Sequence, residues 1–98
     1  MIDELCELIQ GEEGLLVEIR MDLIFNEKKY QRIVELLNQL IGEWRKVDTI
    51  PKKAMIAIVD LMIYLVGNNR FLSEEESLKV EDASIEIYDM LMTLCDTV

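Results

Sequence analysis

The chain has 98 residues, which suffices for one domain and is too short for two independent hydrophobic cores. Hydrophobic residues make up 51% and charged residues 31%, a composition typical of a folded protein and not of a disordered one. The 20 acidic and 10 basic residues give a net charge of -10, and the lack of histidine excludes Ser-His-Asp and Cys-His catalysis and zinc-histidine sites. We expect one acidic domain over residues 1–98.

The first 25 residues predict a short helix followed by an ambiguous segment. Apolar residues at helical spacing favour a helix over about residues 2–10, which Gly11 ends. Residues 15–25 alternate between apolar and charged side chains as a half-buried strand would. A lone strand has no partner in this chain, and leucine, methionine, glutamate and arginine are good helix formers. We therefore predict a helix over 15–25 and leave open a strand that pairs edge to edge in a homodimer.

A third helix, over about residues 27–46, is predicted with Asn26 as its N-cap. Apolar residues in this segment recur at alternating steps of three and four, the pattern of an amphipathic helix. They are Tyr30, Ile33, Val34, Leu37, Leu40, Ile41 and Trp44.

A fourth helix, over about residues 51–66, is predicted from a run that is apolar from Ala54 to Val66 except at Asp60. The run falls short of the roughly 20 residues that a membrane-spanning helix needs, so it favours a core helix. Asp60 lies on one narrow stripe, which we expect to face water. The other members of this stripe are Lys53, Ala57, Tyr64 and Gly67.

Start and stop signals flank this fourth helix. Pro51 suits its first turn, and Asp48 or Thr49 suits the N-cap. The sequence Gly67-Asn68-Asn69 can supply the left-handed residue that ends it.

The last helix is predicted over about residues 74–96, where Ser73 and Glu76 form a capping box. Acidic residues in its first turn favour the positive end of the helix dipole. Its expected core face consists of Val80, Ala83, Ser84, Ile87, Tyr88, Leu91, Leu94 and Cys95. The five segments together predict an all-α fold, a compact bundle of four or five helices.

Charge is segregated along the chain. Residues 1–27 and 73–98 each carry a net charge of -7, residues 28–53 carry +4, and residues 54–72 balance. Like charges at both ends repel and work against compaction, so this segregation calls for an explanation. We expect the two ends to lie side by side as one anionic surface, and the basic region to pair with an acidic end of this subunit or of another. A merely solubilising acidic surface explains the same composition.

An apolar line on the last helix has carboxylates beside it and suits a basic protein partner. The line repeats every seven residues and faces away from the predicted core. The alternative is that another helix of the chain, or a second subunit, covers it. The predicted partner-binding residues are Leu78, Ile85 and Met92 in the line, Glu81, Asp82, Glu86 and Asp89 beside it, and the N-terminal pair Glu12 and Glu13.

Other classes of function are disfavoured. The basic cluster is modest and belongs to a negative molecule, which argues against a nucleic-acid partner and against an acidic membrane surface. The close acid pairs lack the spacing of di-iron bundles and EF-hands, so we expect neither a metal nor another cofactor. Neither thiol has a histidine to activate it, so we do not expect an enzyme.

Cys6 and Cys95 lie near opposite ends of the chain without metal-type spacing, and we expect both to be small buried hydrophobes. The N-terminus lacks the features of a signal peptide. A cytoplasmic protein with reduced thiols is the better interpretation.

The acidic helical segments DELCELIQGEEG and SEEESLKVEDASIEIYDM give the chain the character of a known class of inhibitor. The whole chain resembles the small immunity proteins that bacteria co-produce with nuclease toxins, including those of contact-dependent growth inhibition and the colicin type. The resemblance implies a cytoplasmic protein that binds its basic cognate toxin and covers the active site or substrate groove. The residues leave a second hypothesis open, a homodimeric structural or regulatory adaptor or a secretion chaperone.

Overall fold

The computed structural model describes residues 1–47, 49–67 and 72–95, and it contains the five predicted helices. They are α1 (Ile2–Gln10), α2 (Leu15–Asp22), α3 (Glu27–Trp44), α4 (Lys52–Gly67) and α5 (Glu74–Cys95). No strand occurs in the described ranges, which confirms the predicted all-α bundle.

Four of the helices form a closed ring around the core. α1 contacts α4, α4 contacts α5, α5 contacts α3, and α3 contacts α1, while the short α2 packs against α1. α1 and α5 therefore lie diagonally across the bundle, with α3 and α4 between them.

The core is formed by one apolar stripe from each ring helix. On α3 the predicted face is buried apart from Val34, which is half-buried. Leu36, which was not predicted to face the core, is fully buried. On α5, Tyr88 and Cys95 are exposed and not buried as predicted. Each follows a buried residue directly and so lies about 100° round the helix from the core stripe. Cys6 is buried as expected, and both thiols are free.

The ambiguous segment after α1 is a helix and not a strand, although α2 ends earlier than predicted. Leu23 adopts the left-handed conformation (φ 56°, ψ 35°) as its C-cap, and its N–H bonds to the carbonyl of Ile19. Residues other than glycine rarely adopt this conformation. The end of α2 at a leucine therefore could not be recognised from the sequence. The chain then runs without helix to Asn26.

The predicted caps of α3 and α5 are present. Asn26 Oδ1 accepts the N–H of Lys29 at 3.1 Å, and Ser73 Oγ accepts the N–H of Glu76 at 3.1 Å. The Glu76 carboxylate does not return to Ser73 to complete the capping box. It accepts the backbone N–H of Phe25 at 2.8 Å, which ties the segment between α2 and α3 to the start of α5.

At the start of α4, the carbonyl of Pro51 accepts the N–H of Met55 at 3.1 Å. Pro51 thus takes the N-cap position instead of a place in the first turn. The predicted cap Asp48 and the stop residues Asn68 and Asn69 lie outside the described residues.

Asp60 is exposed, as predicted, although the stripe on which it lies borders α1. Its carboxylate accepts a hydrogen bond from Gln10, and Lys53 pairs with Asp3 at 2.6 Å. Ala57, between them, is completely buried. Lys53 and Asp60 thus lie along the contact with α1, and the exposed side of α4 away from α1 is largely apolar.

None of the described helices is both long enough and apolar enough to cross a membrane.

We predict that Glu76→Gln lowers the free energy of unfolding by about 1–2 kcal/mol at neutral pH, because Phe25 N–H loses a charged acceptor. This hydrogen bond holds the pKa of Glu76 below its ordinary value. The stabilisation is therefore present above the unfolded-state pKa and disappears as the pH falls through the folded-state pKa. Urea denaturation from neutral to strongly acidic pH measures the difference, with the exposed neighbour Glu75→Gln as control. A difference that persisted unchanged in acid would contradict the assignment.

Candidate partner-binding surface

The predicted apolar line on α5 is exposed. Leu78 is 55% exposed, Ile85 56% and Met92 51%, and Tyr88 next to the line is 54% exposed. The described helices leave this line uncovered, so it is available at the surface of the monomer.

All four predicted carboxylates beside the line are exposed as well. Three of them, Glu81, Asp82 and Asp89, form no ion pair with any other described residue. The seven acidic residues of α5 share one base, Lys79, which pairs with Glu76 at 3.4 Å and Glu75 at 4.0 Å. α5 therefore presents an anionic surface of its own.

Glu86 differs from these three carboxylates because a buried tyrosine holds it. The hydroxyl of Tyr30 donates to the Glu86 carboxylate and lies 3.5 Å from the carbonyl oxygen of Ala83. Burial, and then the nearby carboxylate, raise the pKa of Tyr30 well above its ordinary value, so the phenol stays protonated and keeps donating. Glu86 is thus directed towards α3 instead of standing free.

Three of the eight acids in residues 1–27, by contrast, are paired with basic residues of α3 and α4. Each pairing lowers the pKa of its carboxyl group. For three of the seven bases of residues 28–53, the prediction that the basic region pairs with an acidic end, in this subunit or another, is confirmed within the same chain. The pairs are Asp3–Lys53 at 2.6 Å, Glu4–Arg32 at 2.8 Å and Glu18–Lys29.

Glu12 and Glu13 are exposed in the turn between α1 and α2. There Lys29 Nζ donates to the carbonyl of Glu13. Because α1 lies diagonally opposite α5, the acids of α1 do not join those of α5 in the single surface that we expected. Asp3, Glu4 and Glu18 lie beside bases of α3 and α4. Glu27, by contrast, lines one cleft with Asp82 and Glu86 of α5.

A second row of exposed apolar residues lies on α4, and the sequence interpretation did not single it out. Ile56 is 59% exposed, Val59 44%, Ile63 65% and Val66 68%. Their spacing of three, four and three residues places them on one side of the helix, opposite the buried Leu61. The sequence did contain a signal for this row, because α4 is apolar on almost every side and one core stripe requires fewer apolar residues.

The rows of α4 and α5 lie on the outer sides of two helices that are neighbours in the ring, so they form one two-helix surface. We call it the apolar face. It consists of Ile56, Val59, Ile63 and Val66 on α4 and Leu78, Ile85, Tyr88 and Met92 on α5.

A cleft of about 430 Å³ between α1, α2 and α4 borders this face at Ile63. Arg20 and Asp60 line the same cleft, so its border is polar. The apolar face therefore ends at a charged edge on the side of α1 and α2.

Thiol and carboxylate side chains are dispersed over the described part of the chain, and no three of them meet in a group that could hold a metal ion. Comparisons of the chain with protein-family models, with curated proteins and with solved structures found no match. The exposed residues of α4 and α5 are therefore the evidence from which a function can be inferred.

We predict that Tyr30→Phe lowers the free energy of unfolding by about 1 kcal/mol, because the hydrogen bonds of a buried hydroxyl are lost. The matched control is Tyr88→Phe, at an exposed position, and we expect no measurable change there. Urea denaturation monitored by circular dichroism compares the two variants. Equal effects would contradict the role assigned to the Tyr30 hydroxyl.

Proposed function

We propose that this protein binds and neutralises a basic toxin of the nuclease class by covering its active site or substrate groove with the acidic surface of α5. The observation that carries the proposal is that Glu81, Asp82 and Asp89 are exposed beside the apolar line of α5 and form no ion pair within the described residues. Asp3, Glu4 and Glu18 of the N-terminal region, by contrast, are paired with bases of α3 and α4. A nuclease groove is positively charged because it holds phosphates, and carboxylates along an exposed helix can occupy the same sites.

Binding would proceed by electrostatic steering followed by apolar contact. The net charge of -10 raises the rate at which a cationic protein meets the chain. Leu78, Ile85 and Met92 then supply apolar area that becomes desolvated in the complex. Charge therefore sets the association rate and the orientation of the partner, and the apolar line sets the dissociation rate of the complex.

The bacterial cytoplasm is part of the proposal, since an immunity protein must meet its toxin where the toxin acts on nucleic acid. The buried thiol of Cys6 and the exposed thiol of Cys95 are both free, which fits a reducing compartment.

A second function, a homodimeric adaptor or secretion chaperone, is favoured by the exposed apolar row of α4. A dimer that uses this row would support the second function. It would also remove the apolar line of α5 from the surface available to a toxin.

The proposal is tested by capturing the partner and then assaying it. The protein is immobilised and exposed to a lysate of the organism that encodes it, and the captured protein is identified by mass spectrometry and purified. We expect a cationic protein whose nuclease activity disappears when one equivalent of this chain is added. A captured protein that is acidic, or that retains full activity at saturation, would contradict the proposal.

Two matched charge reversals test the role of α5. Glu81→Lys with Asp82→Lys, and Glu12→Lys with Glu13→Lys, each reverse two adjacent exposed acids and change the net charge equally. We expect the α5 pair to slow association with the captured partner by roughly tenfold or more at low salt, and the N-terminal pair to slow it much less. Stopped-flow kinetics over a range of salt concentrations measure this, and circular dichroism checks that both variants stay helical. If both variants slowed association equally, net charge alone would explain the rate and the role proposed for the α5 acids would be contradicted.

A further inference from the structure

α4 exposes apolar side chains where a bundle helix normally exposes polar ones. Ile63 and Val66 are 65% and 68% exposed, more than most large apolar residues of the chain. The polar residues that would normally cover this side, Lys53 and Asp60, are instead engaged by Asp3 and Gln10 of α1. The exposed side of α4 is therefore built from isoleucine and valine.

The apolar face is concentrated and not scattered. Of the thirteen large hydrophobic residues that are exposed in the described chain, eight belong to it. Single exposed hydrophobic residues are ordinary, but a contiguous group on two neighbouring helices marks a surface that another molecule covers.

The charge around the face argues against a second copy of this chain as that molecule. α5 carries seven acidic residues and one basic residue, and Glu81 and Asp89 stand exposed beside the apolar line. A two-fold dimer would place the same acid-fringed surface on both sides of the interface. Two such edges repel, whereas a cationic partner would be attracted to the same edge.

The shape of the face fits a helix. The row on α4 runs from Ile56 to Val66, about 15 Å at 1.5 Å per residue, and the line on α5 from Leu78 to Met92, about 21 Å. Axes of packed helices lie about 8–10 Å apart, so one helix laid along α4 and α5 can contact both rows. A third helix of three to four turns matches this length.

We infer that the apolar face receives a basic amphipathic helix of the partner protein. Its apolar residues, at positions i, i+3 or i+4, and i+7, lie between the rows of α4 and α5. Its lysine and arginine residues flank the apolar ones and lie opposite Asp82 and Asp89 on one side of the α5 line and opposite Glu81 on the other. The inference rests on the proposed function and names the element of the partner that the surface holds.

The first test uses a designed peptide as the probe. It has about 18 residues, or five helical turns, with leucine at the apolar positions and lysine and arginine at the flanking positions. The control peptide has the same composition with the apolar positions scrambled. Fluorescence anisotropy at physiological ionic strength should show the amphipathic peptide binding at least tenfold more tightly. Equal affinity for the two peptides would overturn the inference.

Variants of the face locate the bound peptide. Ile63→Asp and Ile85→Asp change one exposed residue in each row, and Met21→Asp changes an equally apolar, 70% exposed residue on α2 as the matched control. We expect at least tenfold weaker peptide binding for the first two and no change for the third, with the helical circular dichroism signal intact in all three. Equal loss in all three would overturn the inference. So would a dimer in sedimentation velocity that Ile63→Asp dissociates.

Binding and inhibition experiments with the captured partner distinguish a failure of the docking inference from a failure of the proposed function. If Glu81→Lys with Asp82→Lys abolishes toxin neutralisation while Ile63→Asp leaves it unchanged, the helix is not the docking element and the function stands. If Ile63→Asp abolishes binding of a cationic partner whose activity this chain never inhibits, the docking inference stands and the proposed function fails.

Discussion

A ring of four helices can bury one apolar stripe from each, and α4 has more apolar surface than one stripe accounts for. Half of this chain is hydrophobic, yet a 98-residue bundle encloses only part of that material. The position of the excess is decided by which stripe of α4 is buried. Because Ala57, Leu61 and Leu65 face the core and Lys53 and Asp60 lie beside α1, the remaining apolar side is exposed to solvent. The apolar face is thus a consequence of how the core is closed.

The same closure separates some acidic residues from others. Bases of α3 and the start of α4 pair with three N-terminal acids, as in the Glu4–Arg32 pair. Exposed pairs of this kind contribute little to stability. Their larger effect is on the distribution of charge, because α5 has seven acidic residues and Lys79 as its one base. α5 therefore keeps a strongly negative surface, while part of the N-terminal charge is neutralised.

Features that depend on local spacing could be predicted from the sequence, and features that depend on distant contacts could not. Asn26, Ser73 and the line through Ile85 were recognisable because caps and heptads are short-range patterns. The left-handed Leu23 and the bond from Phe25 to Glu76 were not, since tertiary packing imposes both. The orientation of α4 was predicted only at Asp60, which is exposed as expected, and not for its apolar residues. A helix that is apolar almost all round has no periodicity to show which side is inside.

The hydrogen bond between Phe25 and Glu76 joins residues 51 positions apart, and the contacts of α1 with α4 are equally distant in sequence. The ring therefore cannot close before α5 is present, because loop closure precedes any benefit from such contacts. During synthesis, a nascent polypeptide that still lacks α5 has no means of completing the ring. The docking surface consequently comes into existence only once translation has reached its last helix, and a prematurely terminated product would not compete for the partner.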